Sequence, residues 1–206
     1  MVVPMIGILD FGSAGNVRSV ANAFARAQAD AIVVKEYDAE GGLEGLVVPG
    51  VGSFSVVPKI ISALGGSGEI AKIDVPVLCI CLGMQALLES SEEAKGVAGL
   101  GIVRGKVKRL AGQARLPQLG WNKIGLARED PLFEGIASGE YFYFANSYAA
   151  FPENRDDVLA ETEYGQKFAS AMRRGNWWGV QFHPEKSGKA GQRLFANFAA
   201  ICKKGW

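Results

Sequence analysis

Histidine is almost missing from this chain of 206 residues: it occurs once, at position 183. Any chemistry that needs an imidazole must therefore use His183, and a metal centre built from several imidazoles is excluded. Cysteine is scarce as well. Cys79, Cys81 and Cys202 make an odd set that fits neither a disulfide framework nor paired C-x-x-C zinc ligands, so reduced thiols and no bound metal are expected. Charge of either sign is not in excess, because 22 Lys and Arg face 21 Asp and Glu, interspersed, for a net charge of +1. No strong field steers such a chain onto nucleic acid or anionic lipid. Also missing are an apolar run near the ~18 residues a membrane span needs and, in the stretch Met1 to Asp10, the basic start of a signal peptide. A cytoplasmic protein is expected. Without repeats, low-complexity tracts or a break in composition, residues 1–206 read as one domain, 49% apolar, able to bury roughly 70% of its unfolded surface.

The apolar patterning that is present changes period along the chain. Met5 to Leu9 reads as a buried strand, followed by a helix whose core face carries Val17, Val20, Ala21 and Phe24, with Asn16 as its N-cap. Next come strands at Ala31 to Val34 and Leu46 to Val48, a helix with Val56, Val57, Ile60, Ile61 and Leu64 inward, and the strand Val75 to Ile80 running into a helix over Leu82 to Leu88. Strands alternating with helices predict an α/β fold of three layers, a mostly parallel central sheet covered on both faces. From Leu100 the runs shorten and lose their helices: Gly101 to Val103, Lys106 to Leu110, Asn122 to Leu126, Tyr141 to Ala145, Val158 to Thr162, Phe168 to Met172 and Trp178 to Phe182. An antiparallel extension is expected there. A last helix bears Leu194, Phe195, Phe198 and Ile201 at core spacing.

Three predicted strand ends carry residues suited to chemistry. Ile80-Cys81-Leu82-Gly83 places a thiol where a buried strand turns into a helix, the geometry that lifts a nucleophile out of a sheet. Unpaired N–H groups at the start of that helix favour a thiolate, and the amide of Leu82 would face an oxyanion formed by attack of Cys81. Taken alone, Cys81 also fits a small buried filler, the reading given to Cys79 and Cys202. Gln181-Phe182-His183-Pro184-Glu185 ends another strand, and Pro184 biases His183 toward extended backbone, from which Glu185 can reach the imidazole. Such a carboxylate fixes the tautomer and stabilises an imidazolium; a satisfied surface histidine beside a solvated glutamate is the alternative. Pro49-Gly50-Val51-Gly52 ends a third strand, either as a tight turn or as a backbone that turns N–H groups toward negative charge. Two of these ends, each bearing one member of a cysteine–histidine pair, weigh the balance toward nucleophilic catalysis. Tyr141-Phe142-Tyr143-Phe144 alternates, so its tyrosines share one face; with Trp121 they suit either a protein partner or ordinary packing.

Assembled, these residues make the chain resemble the triad glutamine amidotransferases, and within them the glutaminase subunits of imidazole glycerol phosphate synthases. The resemblance runs nearly end to end, through Asp10-Phe11-Gly12, Gly15-Asn16, Arg18-Ser19, Pro49-Gly50-Val51-Gly52, Ile80-Cys81-Leu82-Gly83-Met84-Gln85, Gly120-Trp121-Asn122, Tyr141-Phe142-Tyr143-Phe144, Ser147-Tyr148 and Gln181-Phe182-His183-Pro184-Glu185-Lys186-Ser187. It implies a triad of Cys81, His183 and Glu185, with Gly50, Val51, Gly52 and Leu82 around the oxyanion. It implies that Gln85, Ser147 and Tyr148 hold the amino-acid end of glutamine. No cofactor is implied. It further implies a (β/α)8-barrel cyclase as partner in a heterodimer, receiving ammonia and contacting Asn16, Arg18, Trp121, Asn122, Tyr141, Tyr143 and Lys186. Hydrolysis is expected to stay nearly idle until that partner binds its own substrate and the Gly50 to Gly52 segment presents its N–H groups.

The chain departs from that pattern at three places. The resembled subunits commonly have glycine where Cys79 stands, and histidine where Gln118 and Asn146 stand; both carboxamides can hydrogen-bond, but neither carries a proton at neutral pH. The departures keep a second synthase open as the consumer of ammonia, for instance one that aminates a surface sugar. Glutaminases of anthranilate or aminodeoxychorismate synthesis usually have histidine at the position of Met84, and those of pyridoxal phosphate synthesis lack the Trp121 segment. A retired amidotransferase, kept as a binding module, would have lost its cysteine or its histidine, and this chain keeps both.

Overall fold

A computed structural model describes residues 5–12, 16–112 and 115–204; Gly15 of the resemblance lies outside them. In chain order the strands are β1 (Ile6–Leu9), β2 (Ala31–Val34), β3 (Gly45–Gly50), β4 (Val77–Cys81), β5 (Ser90–Ser91), β6 (Gly105–Arg109), β7 (Gln118–Lys123), β8 (Gly125–Leu126), β9 (Tyr141–Asn146), β10 (Tyr148–Pro152), β11 (Val158–Tyr164), β12 (Gln166–Arg174) and β13 (Trp177–Val180). The helices are α1 (Val17–Arg26), α2 (Val57–Ala63), α3 (Ser67–Ile70), α4 (Leu82–Ala86) and α5 (Gly188–Lys204). Strands β2, β1, β3, β4 and β13 lie side by side and parallel, in that order. Beyond β13 the sheet turns antiparallel through β12, β10 and β6, with β11 and β8 alongside. β7 and β9 form a separate antiparallel pair.

Alternation along the central strands explains why helices cover both faces. Ile6, Ile8, Val47, Leu78, Ile80, Trp178 and Val180 point into one core with Val20 and Phe24 of α1 and Leu194, Phe195 and Phe198 of α5. Leu46, Val48, Val77, Cys79 and Trp177 point into the other, against Val57 and Ile60 of α2, Ile70 of α3 and Met84 of α4. A strand buried on both sides is nearly all apolar, as β4 is. Phe24 and Phe195 join α1 to α5 edge to face, with ring centroids 4.7 Å apart.

Several expectations need correction. Residues 101–103 form no strand: Gly101 and Val103 donate their amides to Leu88 and Leu87, and Leu100 donates to Ala86. These amides take the carbonyls of Ala86, Leu87 and Leu88 that a continuing helix would have paired with its own next turn, and α4 ends at Ala86, not Leu88. The run expected over residues 122–126 splits into β7 and β8 around buried Ile124. β10 has no period-2 signal, because Ala149 and Ala150 are both buried. Asn16 occupies the N-cap position of α1 but its side chain caps nothing. Among the described residues, no helix is long and apolar enough to cross a membrane.

Candidate active site

The turn from β4 into α4 is held by close backbone approach. Cys81 sits at φ +54°, where L-residues rarely go, at a cost of order 1–3 kcal/mol that the surrounding sheet must offset. Behind it, a side chain on Gly83 would overlap the Val48 carbonyl, and a Cβ on Gly50 would lie 2.9 Å from the Gly83 nitrogen. Glycine at both positions lets β3 press against the start of α4 and push Cys81 to the sheet's edge. Cys79 stands two residues back with its side chain in the opposite core, where burial drives its thiol far above the ordinary value. Burial also pushes Cys202 up, to about 12. Neither forms a thiolate at neutral pH, and both are fillers.

The single imidazole meets this sulfur. His183 Nδ1 lies 2.8 Å from Glu185 Oε1, with the two side chains 3% and 0% exposed. A carboxylate only accepts, so Nδ1 donates to it and Nε2 is left to serve Cys81. Burial disfavours the imidazolium, but hydrogen bonds to Cys81 and Glu185, and their negative charge, outweigh it and raise His183 to about 10. Burial likewise disfavours the Glu185 carboxylate, and the His183 bond and charge overturn that, holding it below the usual range. Asn16 adds to this: its Nδ2 donates to the same Oε1 at 2.6 Å. The half-buried start of α1 thus braces the base of the triad, a role its position before the helix did not reveal. Replacing Asn16 with alanine removes one charge-assisted bond, worth about 1.5–3 kcal/mol at a carboxylate. Glutamine kcat/KM is expected to fall about tenfold, with the acid limb of the pH–rate profile moving to higher pH; an unmoved limb would show that Asn16 does not act through Glu185.

A cavity of about 350 Å³ opens over the sulfur, lined by Val51, Gly52, Cys81, Leu82, Gln85, Glu93, Pro117, Ala145, Asn146, Ser147, Tyr148, His183 and Lys186. It brings together most of the residues singled out from sequence. Gly50 is placed behind the wall, paired with Cys81 in the β3–β4 ladder. Gln85 is not free to turn its amide nitrogen to a ligand, because Nε2 already donates to the Tyr148 carbonyl at 2.9 Å and to Gln181 Oε1 at 3.0 Å. Gln181 in turn donates to Cys81 Sγ at 3.6 Å. Gln181 and Glu93 were not among the expected site residues. Glu93 lies in a loop with no periodic signal, accepts the Phe54 amide at 2.7 Å and supplies a carboxylate on the wall.

The β7–β9 hairpin divides its residues by face. Leu119, Trp121 and Tyr141 are exposed, and Trp121 meets Tyr143 edge to face. Lys186 stacks over Tyr143, 5.5 Å from the ring centroid, and so joins this face to the cavity. Arg18 is exposed on α1. Asn122 is the exception: it pairs with buried Phe142 on the opposite face and donates to the Glu163 carbonyl at 2.9 Å, which makes it a tie to β11. No cluster of three or more His, Cys, Asp or Glu suited to a metal occurs among the described residues.

The family model described as glutamine amidotransferase class-I matches residues 8–202. The chain is 39% identical to the imidazole glycerol phosphate synthase subunit HisH 1 of Methanococcus maripaludis, covering 96% of this chain and 100% of that one. It is 44% identical to the corresponding subunit of Thermococcus kodakarensis, again over 96% and 100%. Among solved structures, one described as glutamine amidotransferase superposes with a TM-score of 0.72 at 21% identity, covering 95% and 99%. PurLQS from Thermotoga maritima does so with 0.74 at 16%, covering 97% and 99%. At those identities the two structures speak for the fold alone.

Proposed function

The chain belongs to the class-I glutamine amidotransferases, and from that premise we propose that it is the glutaminase subunit of an imidazole glycerol phosphate synthase. It hydrolyses L-glutamine to glutamate and ammonia for histidine biosynthesis. The observation that carries the reading is a lone imidazole, braced by Glu185 and coupled to a sulfur on a strained elbow, inside a cavity whose relatives at about 40% identity bear that subunit's name.

Each step follows from the side chains in place. Cys81 thiolate attacks the carboxamide carbon of glutamine, and the oxygen takes the negative charge beside the Leu82 amide and the Val51–Gly52 backbone. The His183 imidazolium gives its proton to the departing nitrogen, and the carbon–nitrogen bond breaks to release ammonia and leave a glutamyl thioester. His183, now neutral, takes a proton from water, whose hydroxyl attacks the thioester; glutamate leaves and the sulfur returns as thiolate. Glu93, Ser147, Tyr148 and Gln85 line the same cavity, and their carboxylate, hydroxyls and carboxamide suit recognition of the ammonium and carboxylate of the substrate.

Ammonia that reaches bulk water at neutral pH is protonated and no longer nucleophilic, so a partner must take it directly. The exposed face of Leu119, Trp121 and Tyr141, continued by Lys186 at the cavity mouth, suits a (β/α)8-barrel cyclase in a cytoplasmic heterodimer, since aromatic residues are enriched at such interfaces. Gly52, at φ +97° with open space around it, gives the Gly50–Gly52 segment the freedom to reorient its amides when that partner binds its substrate. The reading is tested by labelling with a glutamine-like chloroketone and by assay with the cyclase. Alkylation of Cys81, blocked by glutamine, and glutamine-dependent formation of imidazole glycerol phosphate are expected. Alkylation without transfer to the cyclase would keep the glutaminase and reassign its consumer to another synthase; failure of both would end the reading.

A further inference from the structure

Beside the catalytic cavity, on the inward face of the β7–β9 hairpin, three buried polar atoms have no partner: Gln118 Nε2, Gln118 Oε1 and Asn146 Oδ1. The two residues are directly paired across the ladder, so their side chains leave the same face about 5 Å apart at Cβ. Gln118 is 2% exposed and Asn146 6%. Asn146 lines the cavity, as does Pro117, next to Gln118. The Asn146 amide is held in one orientation: Nδ2 donates to the Tyr148 carbonyl at 3.0 Å, which leaves Oδ1 as the unfilled end. That carbonyl also accepts from Gln85, which donates to Gln181, which donates to Cys81. An uncharged chain of amide groups thus runs from the nucleophile through the Tyr148 carbonyl to Asn146, whose Oδ1 ends it beside Gln118. A buried polar group costs about 1–3 kcal/mol unless something small and polar meets it, and these atoms lie at the cavity wall where such a molecule can reach them.

We propose that Gln118 and Asn146 form a binding subsite, at the wall of the cavity, for the neutral ammonia released at Cys81; this rests on the glutaminase reading above. The donor count fits. Ammonia offers two N–H bonds to Asn146 Oδ1 and Gln118 Oε1, and its lone pair accepts from Gln118 Nε2. Ammonium has no lone pair to accept that bond, and a cation buried between neutral amides is strongly disfavoured. The subsite therefore retains the form that can still act as a nucleophile. Two carboxamides hold it without exchanging a proton with it, which an imidazole in either place would not guarantee.

The test is Gln118→Met, which keeps length and removes both polar atoms. In the complex with the cyclase, glutamate release is expected within about twofold of the unaltered protein, while product formed per glutamate falls at least threefold and free ammonia makes up the difference. On the residual hydrolysis that the isolated chain keeps, the concentration of added ammonia that inhibits is expected to rise several-fold, with KM for glutamine unchanged. Unaltered transfer together with unaltered ammonia inhibition overturns the subsite, and so does a variant that loses hydrolysis itself with its thermal midpoint intact. Gln118→Leu, tested the same way, covers the case in which Gln118→Met does not fold. If the unaltered protein transfers nothing to the cyclase yet the inhibition arm shifts as stated, the pathway assignment falls and the subsite stands.

Discussion

Cys81→Ser is expected to lower glutamine kcat by at least about 10³-fold while leaving the fold in place, since loss of a triad nucleophile has effects of this size and larger. Serine is nearly the same size, so the β4–α4 turn keeps its shape, and a hydroxyl can still accept from Gln181 as the sulfur does at 3.6 Å. What it does not supply is an anion at neutral pH. The effect should extend to His183, whose raised affinity for protons depends in part on the neighbouring sulfur. With a neutral hydroxyl there, the imidazole should titrate lower, still lifted by Glu185. Glutamate release measured beside a thermal midpoint checks the first statement, and NMR titration of the only imidazole checks the second. A serine variant hydrolysing at the original rate would refute the triad.

Gly83→Ala is expected to destabilise the protein by about 3 kcal/mol, at the upper end of what an inserted methyl costs a tight core. The new methyl would overlap the Val48 carbonyl, and Val48 cannot retreat because it is paired with Cys79 in the β3–β4 ladder. For a chain of this length the midpoint should drop by about 6–12 °C. Activity should fall further than stability. Moving α4 to relieve the overlap shifts the Leu82 amide relative to Cys81, and a misplacement of about 1 Å can cost 10²-fold in rate. Gly52→Ala is the contrast, since no atom lies within 4 Å of its added methyl and only backbone strain of about 1 kcal/mol opposes it. Equal midpoints for Gly83→Ala and the unaltered chain would show that the elbow is not tightly packed.

Local signals made the elbow, the His-Pro-Glu turn and the tyrosine face readable in advance. Each depends on neighbours in the chain: an apolar run ending in Cys-Leu-Gly, a proline fixing its predecessor, alternation with period two. The bracing of Glu185 by Asn16 spans 169 positions and leaves no local trace. Gln181 stands in the same motif as His183 with no local sign of a role, yet its side chain reaches back to the sulfur 100 positions earlier. Glu93 belongs to a loop shaped by its bond to the Phe54 amide, which no periodicity announces. Residues 101–103 looked like a strand because they are short and apolar at Ile102 and Val103; a helix end in need of hydrogen-bond donors claimed them instead. The resemblance puts Asn122 with Trp121 at the partner contact, although the two, as neighbours on β7, face opposite ways.

The position of β13 sets the order in which the protein can become active during its own synthesis. It lies between β4 and β12, although both of those precede it in the chain. While only the first 176 residues have been made, the strand that ends in Cys81 has a bare edge on that side, and the turn bearing His183 and Glu185 does not yet exist. α5 then follows, and Gly191 presses so closely on the Pro184 carbonyl that no side chain would fit. From the addition of Cys81 until that of His183 the thiol therefore exists without its base, and a nascent chain that ends before His183 is expected to consume no glutamine.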